Sequence, residues 1–241
     1  RLDPTGCGPA GSWAAKHLCW RAEAAMFRGD VRAAFRGMGE ALRLSGGAPW
    51  VRAWRGQMEL WCGRYDRALT DLERALRDGG SDWAHGSKGW TLGWRGLAKL
   101  KLERAAEAVR DFKRALELKP KDPESHAGMV EALWRLGRED RARRALAPAR
   151  RAAPGSVWPH VLASVLAGDR AAVHWRRAAR ICPALAAYVA ERVGEGRPRA
   201  AAEAALDLCA GNRTLQPSAV QGRGASVKVV ALWRVAAGRK R

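Results

Sequence analysis

The sequence predicts an all-α solenoid of about five to six antiparallel helix pairs. One observation is a repeat, because Trp54-Arg55-Gly56 recurs as Trp94-Arg95-Gly96 and the residues that follow recur at the same distance. The other is spacing, because alanine and apolar residues keep a helical period between breaks that contain glycine or proline. A repeat of fixed period indicates a chain in which each helix pair packs on its neighbours.

The basic unit is 34 residues long, as from Trp20 to Trp54, and six further residues separate the second and third copies. The copies share a set of markers, each found in one to three of them: a small residue inside the first helix, a glycine at the turn, an aromatic residue that opens the second helix, an alanine, a bulky apolar residue and a closing proline. These residues are Gly56, Gly96, Gly63, Gly137, Tyr65, Ala68, Ala108, Ala142, Leu72, Phe112, Leu146, Pro120 and Pro154. The pattern resembles the tetratricopeptide repeat (TPR) family, a helix-turn-helix unit of this length. The resemblance implies a right-handed superhelical solenoid.

The repeat markers divide the chain as follows. Residues 12–183 form the array, with units 12–48, 49–82, 89–122, 123–156 and a shortened unit 157–183, and residues 83–88 are an insertion. We expect a loop over 1–11, where Leu2-Asp3-Pro4 resembles the end of a preceding repeat cut from a longer protein. Residues 184–211 are predicted as a degenerate helix pair, and 212–241 as a capping helix, or alternatively a strand, with a basic tail.

The chain is strongly basic, with 44 Lys and Arg against 24 Asp and Glu, a net charge of +20 and a pI near 11.1. Such a field favours acidic proteins, nucleic acid or anionic lipid as partners. The alternative interpretation is an arginine-rich composition with no specific polyanion partner. The five cysteines lack metal-ligand spacing, so no metal or cofactor is predicted. With no signal peptide and no apolar run of about 18 residues, the sequence predicts a cytoplasmic protein.

The resemblance also implies a concave groove, lined by the first helix of each pair, that holds a peptide or helix of a partner. Residues spaced i, i+4, i+7 and i+11 on these helices share one face. Those predicted to face the groove are Trp20, Trp50, Trp54, Gln57, Trp61, Trp90, Trp94, Leu97 and Lys101. The chain is thus predicted to be a protein-protein interaction scaffold or adaptor with a tryptophan-lined groove. In the alternative interpretation, Trp20, Trp54 and Trp94 pack between repeats.

Two further functions compete with the scaffold. The second helices carry arginines that could bind nucleic acid or another polyanion, although a solvated face is the more ordinary interpretation. The chain could instead be a regulatory or recruiting arm of a larger multidomain enzyme. No phosphate-binding loop, dinucleotide fingerprint, zinc-protease or nucleophile-elbow motif occurs, so no catalytic residue is predicted. The arginines in question are Arg143, Arg144, Arg150, Arg151, Arg176, Arg177 and Arg180.

Overall fold

The structure is a computed structural model that describes residues 10–79, 87–194 and 196–209, and the regular elements in these ranges are all helices. A short 3₁₀ turn, Gly168–Arg170, precedes the tenth α-helix. The α-helices are α1 (Ala10–Phe27), α2 (Val31–Leu44), α3 (Pro49–Trp61), α4 (Tyr65–Asp78), α5 (Ser87–Lys101), α6 (Ala105–Leu118), α7 (Pro123–Arg135), α8 (Glu139–Ala152), α9 (Trp158–Leu166), α10 (Ala171–Ile181), α11 (Pro183–Val193) and α12 (Pro198–Cys209).

Consecutive helices pack in pairs from α1 with α2 to α9 with α10. The first helices of successive pairs also contact one another, from α1 with α3 to α7 with α9. Each second helix of the first four pairs contacts the first helix of the next pair. The predicted all-α, right-handed superhelical solenoid of antiparallel helix pairs is confirmed.

A residue with positive φ stands between the two helices of each of the first four pairs. Gly29, Gly63 and Gly137 have φ values of 87°, 66° and 70°, and Glu103 holds the corresponding place in the third pair with φ 61°. Glycine adopts this left-handed conformation without steric cost, whereas another residue loses roughly 1 to 2 kcal/mol. The chain therefore reverses direction with a similar backbone geometry in all four pairs, although the third pair has glutamate where the others have glycine.

Glycines inside the first helices allow close packing against one phenylalanine. The Phe112 ring is fully buried between α5 and α7. A Cβ atom on Gly96 would lie 2.8 Å from Phe112 Cε1, and one on Gly128 would overlap the same ring. Gly56 has the equivalent place in α3, where a Cβ would lie 2.8 Å from Leu72 Cγ. The backbone approach offsets the roughly 1 kcal/mol that glycine loses relative to alanine in a helix.

Arginine and aspartate join the two helices of the second pair and the two helices of the third pair. Arg55 donates two hydrogen bonds of 2.7 Å to the carboxylate of Asp71. Arg95 makes the same two-point contact with Asp111, which also accepts from Lys99 at 2.8 Å. Both aspartates are buried, so each carboxylate has partners that compensate its lost hydration.

The last pair departs from the arrangement of the others. The second helix of this pair, α12, packs against α9, whereas α11 packs mainly against α10 and α12. The Ser164 hydroxyl of α9 donates to the carbonyl of Ala171 at 2.8 Å and lies 3.3 Å from the carbonyl oxygen of Pro198, the first residue of α12. By its contacts with α9 and α10, α12 therefore takes the position of a further first helix.

Some predicted segments differ from the structure or lie outside the part that it describes. α1 begins at Ala10 and α5 at Ser87, each two residues inside a segment predicted as a loop or insertion. Glycine near these starts did not end the helix, because the first turn needs no N–H bonds within the helix. Residues 1–9 and 80–86 and the predicted capping helix and tail over 212–241 lie outside the described residues. Among the described helices, none is long and apolar enough to cross a membrane.

Candidate functional site

A cavity of about 160 Å³ opens between the first helices of the second to fifth pairs and the end of α12. We call it the indole cavity, because three tryptophans from α3, α5 and α9 line it. An engineered apolar cavity of about 150 Å³ can hold benzene, so this space accepts one large apolar side chain. Its lining is Gln57, Leu60, Trp61, Tyr65, Trp94, Leu97, Lys101, Glu124, Ala127, Gly128, Glu131, Trp158, Leu162 and Leu206.

Helical spacing explains how these residues meet. Positions four and seven residues apart lie on one face of a helix. Trp94, Leu97 and Lys101 of α5 obey this rule, and Gln57 and Trp61 do so on the preceding first helix, α3. Five of the nine residues predicted for the groove therefore come together in the indole cavity.

The other four predicted groove residues lie elsewhere. Trp50 and Trp54 pack against the apolar core of the first two pairs. Trp20 is 44% exposed and meets Trp13 edge to face, with ring centroids 6.1 Å apart. Trp90 is 42% exposed, with the Lys119 ammonium 3.6 Å from its ring centroid. Contact of these four with a partner stays a prediction, and none of them lines the indole cavity.

Two charged residues of the indole cavity, Lys101 and Glu131, pair with each other. Lys101 donates to Glu131 at 2.9 Å, and the same carboxylate accepts from Arg135 at 3.0 Å. The Lys101 and Glu131 side chains are only 7% and 9% exposed. A buried ion pair of this kind is compensated by its own hydrogen bonds. The lining thus combines indole and leucine surfaces with charges that already have partners.

The comparison with protein families identifies the repeats. A tetratricopeptide repeat model matches residues 99–165, which run from the end of α5 to the end of α9. The predicted resemblance to the tetratricopeptide repeat is therefore confirmed over these residues. No curated protein matches the sequence.

Solved structures share the TPR fold. PilF of Pseudomonas aeruginosa is 19% identical over 70% of this chain and 77% of its own, with a TM-score of 0.59. MamA of Desulfovibrio magneticus RS-1 is 17% identical over 69% of this chain and 94% of its own, with a TM-score of 0.55. YrrB, a TPR protein with an unusual peptide-binding site, is 22% identical over 73% of this chain and 93% of its own, with a TM-score of 0.51. At these identities the likeness shows the fold.

The sequence did not predict every residue that lines the indole cavity. Trp158 and Leu162 line it from α9 and are four residues apart, so the spacing rule would have found them had it been extended to the shortened fifth pair. Leu206 lines it from α12, a second helix, because the last pair is arranged differently. No local signal in the sequence indicates that rearrangement.

The predicted arginine surface lies on the second helices α8 and α10. Its members are not alike. Arg143 donates to Glu139 at 2.8 Å and to the carbonyl of Leu166 at 3.1 Å. Its guanidinium group therefore already has a carboxylate and a carbonyl as partners within the protein. Arg144, Arg151, Arg176, Arg177 and Arg180 are exposed, whereas Arg150 is half-buried. Among the described residues, no group of three His, Cys, Asp or Glu side chains is placed to hold a metal ion.

Proposed function

We propose that this TPR chain is a protein-protein interaction scaffold that holds an extended segment or a helix of a partner protein on its inner side. The observation that carries the proposal is the indole cavity, where Trp61, Trp94 and Trp158 from three first helices surround one space. Tryptophan is enriched at interface hot spots because it contributes much contact area with few rotatable bonds. One apolar side chain of the partner fits this space as an anchor.

The charge distribution supports an apolar anchor over a charged one. Lys101 is paired with Glu131, so an acidic side chain that entered would compete with an existing carboxylate for the cation. An apolar anchor leaves that pair intact and replaces water at the indole faces. A cationic side chain could also stack on an indole. The likeness to YrrB, described as having a peptide-binding site, agrees with a peptide ligand.

A peptide selection tests the proposal. Random 15-residue peptides are selected on the immobilised full chain, and the affinity of each enriched peptide is measured for the wild type and for two variants. Trp94→Ala removes one indole, and Ala127→Leu fills the space without removing an existing side chain. We expect both variants to weaken binding about 30-fold, equivalent to about 2 kcal/mol.

Matched controls separate the site from general surface effects. Trp20→Ala removes an exposed tryptophan outside the cavity, and Ala106→Leu adds the same atoms on an exposed face of α6. Both should leave the affinity unchanged, with folding of all variants checked by circular dichroism. Selected peptides that bind the cavity variants as well as they bind the controls would refute the proposal, as would a selection that enriches no peptide.

A further inference from the structure

Four basic side chains converge where α8, α9 and α10 pack together. Arg150 lies in the last turn of α8, His160 in the first turn of α9, and His174 and Arg177 three residues apart on α10. α8 packs on α9 and α9 on α10, and the spacing of His174 and Arg177 places them on one face of their helix. We call these four residues the basic cluster. None of them lines the indole cavity.

Three polar atoms of the basic cluster are closed off from solvent and have no hydrogen-bond partner among the described residues. They are Nε of Arg150, Nδ1 of His160 and Nδ1 of His174. A buried polar atom without a partner costs roughly 1 to 3 kcal/mol, so native proteins leave few such atoms. Three such atoms in one region mean that the basic cluster has hydrogen-bonding capacity that the described residues do not use.

The charges that shift the pKa values of the two histidines are all positive. The pKa of His160 is lowered first by burial and then by Arg150, Arg177 and His174. The pKa of His174 is lowered by burial and then by Arg150, Arg177 and Arg170 of the 3₁₀ turn. No carboxylate among the described residues contributes to either shift. The carboxylates of Glu139 and Asp140, at the other end of α8, are engaged by Arg143.

We propose that Arg150, His160, His174 and Arg177 bind a phosphate-class dianion. Guanidinium groups present a fork of donors that matches phosphate oxygens, and the imidazoles of His160 on α9 and His174 on α10 add further donors. A dianion balances two permanent charges, and each imidazole that takes up a proton adds to the attraction. A single carboxylate would leave half of the arginine charge unbalanced. The site is independent of the indole cavity and of the function proposed for it.

Imidazole NMR of the full chain tests the site with inorganic phosphate as the probe. The histidine ring signals are followed during phosphate addition at constant ionic strength, with chloride as the replaced anion. We expect saturable shifts of the His160 and His174 signals and higher pKa values for both rings when phosphate is bound. Arg150→Gln and Arg177→Gln should each weaken the affinity at least tenfold, because each removes a charge-assisted hydrogen bond.

The matched control is Arg176→Gln, which removes an exposed arginine of the same helix without touching the cluster. It should leave phosphate affinity unchanged, with circular dichroism used to check the fold of each variant. A peptide with one phosphoserine is compared with its unphosphorylated form. This comparison shows whether the basic cluster binds phosphate as a free ion or as part of a phosphorylated protein. Shifts that do not saturate, or a control that weakens binding as much as Arg177→Gln, would overturn the proposal.

Discussion

The indole cavity and the basic cluster treat charge in opposite ways. In the cavity, Glu131 lies between Lys101 and Arg135 and satisfies both cations. In the cluster, Arg150 and Arg177 stand beside His160 and His174 with no carboxylate among the described residues acting on the rings. Both regions are formed by successive helix pairs of one solenoid. The repeat fixes the positions of the side chains, and residue choice at those positions fixes the ligand chemistry.

This difference predicts how each region responds to its surroundings. A ligand of the indole cavity contributes apolar surface, so its affinity should change little with salt. A ligand of the basic cluster contributes negative charge, so its affinity should fall as ionic strength rises. The net charge of +20 should therefore affect ligand binding at the basic cluster more than ligand binding at the indole cavity.

Removing the Glu131 carboxylate from the indole cavity should change the stability of the protein more than any other substitution considered below. Glu131→Gln leaves the buried Lys101 ammonium without its counter-charge, and removing one partner of a buried pair costs about 3 kcal/mol or more. We expect urea denaturation to show a loss of that size in the free energy of unfolding. Replacing both partners, with Lys101→Met and Glu131→Leu, should recover most of it.

Glu139 provides the control for that experiment. Its pair with Arg143 is exposed and joins residues four apart on α8, where such pairs contribute about 0.5 kcal/mol or less. Glu139→Gln should therefore change the free energy of unfolding only slightly. Equal losses in the two single variants would show that the cavity pair is not the buried network described here.

A smaller effect is expected at Gly128, which lines the indole cavity and packs against the Phe112 ring. The basic cluster contains no such glycine. Gly128→Ala places a Cβ atom in the Phe112 ring, and overpacking of this kind costs about 1 to 3 kcal/mol. Gly39→Ala is the matched change in α2, where no atom lies within 4 Å of the new Cβ. It should stabilise the protein by about 0.5 to 1 kcal/mol.

Thermal unfolding of the two glycine variants should move Tm in opposite directions. A third variant that combines Gly128→Ala with Phe112→Leu should regain part of the loss, because leucine occupies less of the space that the new methyl group needs. Loss of stability in both alanine variants would contradict the packing argument.

The fold was predictable because the repeat is local. Trp54-Arg55-Gly56 and its copy at Trp94-Arg95-Gly96 identify the first helices, and the residues with positive φ mark the turns between them. The pairing of α12 with α9 was not predictable, because it depends on packing between residues far apart in the sequence. The same rearrangement brings Leu206 to the indole cavity.

The candidate sites divide along the same line. Spacing within one helix gave Trp94, Leu97 and Lys101, which do lie together. Spacing could not show that Trp50 and Trp54 pack against the core of the first two pairs, because partial burial depends on the neighbouring pair. Spacing also could not distinguish Arg150 and Arg177 from the other arginines. What distinguishes them is that both act on His160 of α9 and His174 of α10, and this depends on how α8, α9 and α10 pack.

The smallest expected effect is a pH dependence that belongs to the basic cluster alone. The pKa values of His160 and His174 are lower in the folded chain than the usual value of about 6.5 in unfolded chains. As pH falls, the unfolded state therefore binds more protons than the folded state does. The contribution of the two neutral histidines to the free energy of unfolding is thus present in full above about pH 6.5 and is lost as pH falls through the folded-state pKa values. Urea unfolding at a series of pH values around that point measures it.

Variants of the cluster decide whether this pH dependence has the proposed origin. Arg177→Gln removes one of the charges that lower both pKa values, so its stability should vary less with pH than that of the wild type. Arg176→Gln, on the exposed side of the same helix, should follow the wild type. Phosphate should also flatten the wild-type curve, because a dianion in the cluster favours the protonated rings. A slope unchanged by Arg177→Gln would place the titrating groups elsewhere, and the contrast between the two regions would then rest on the cavity alone.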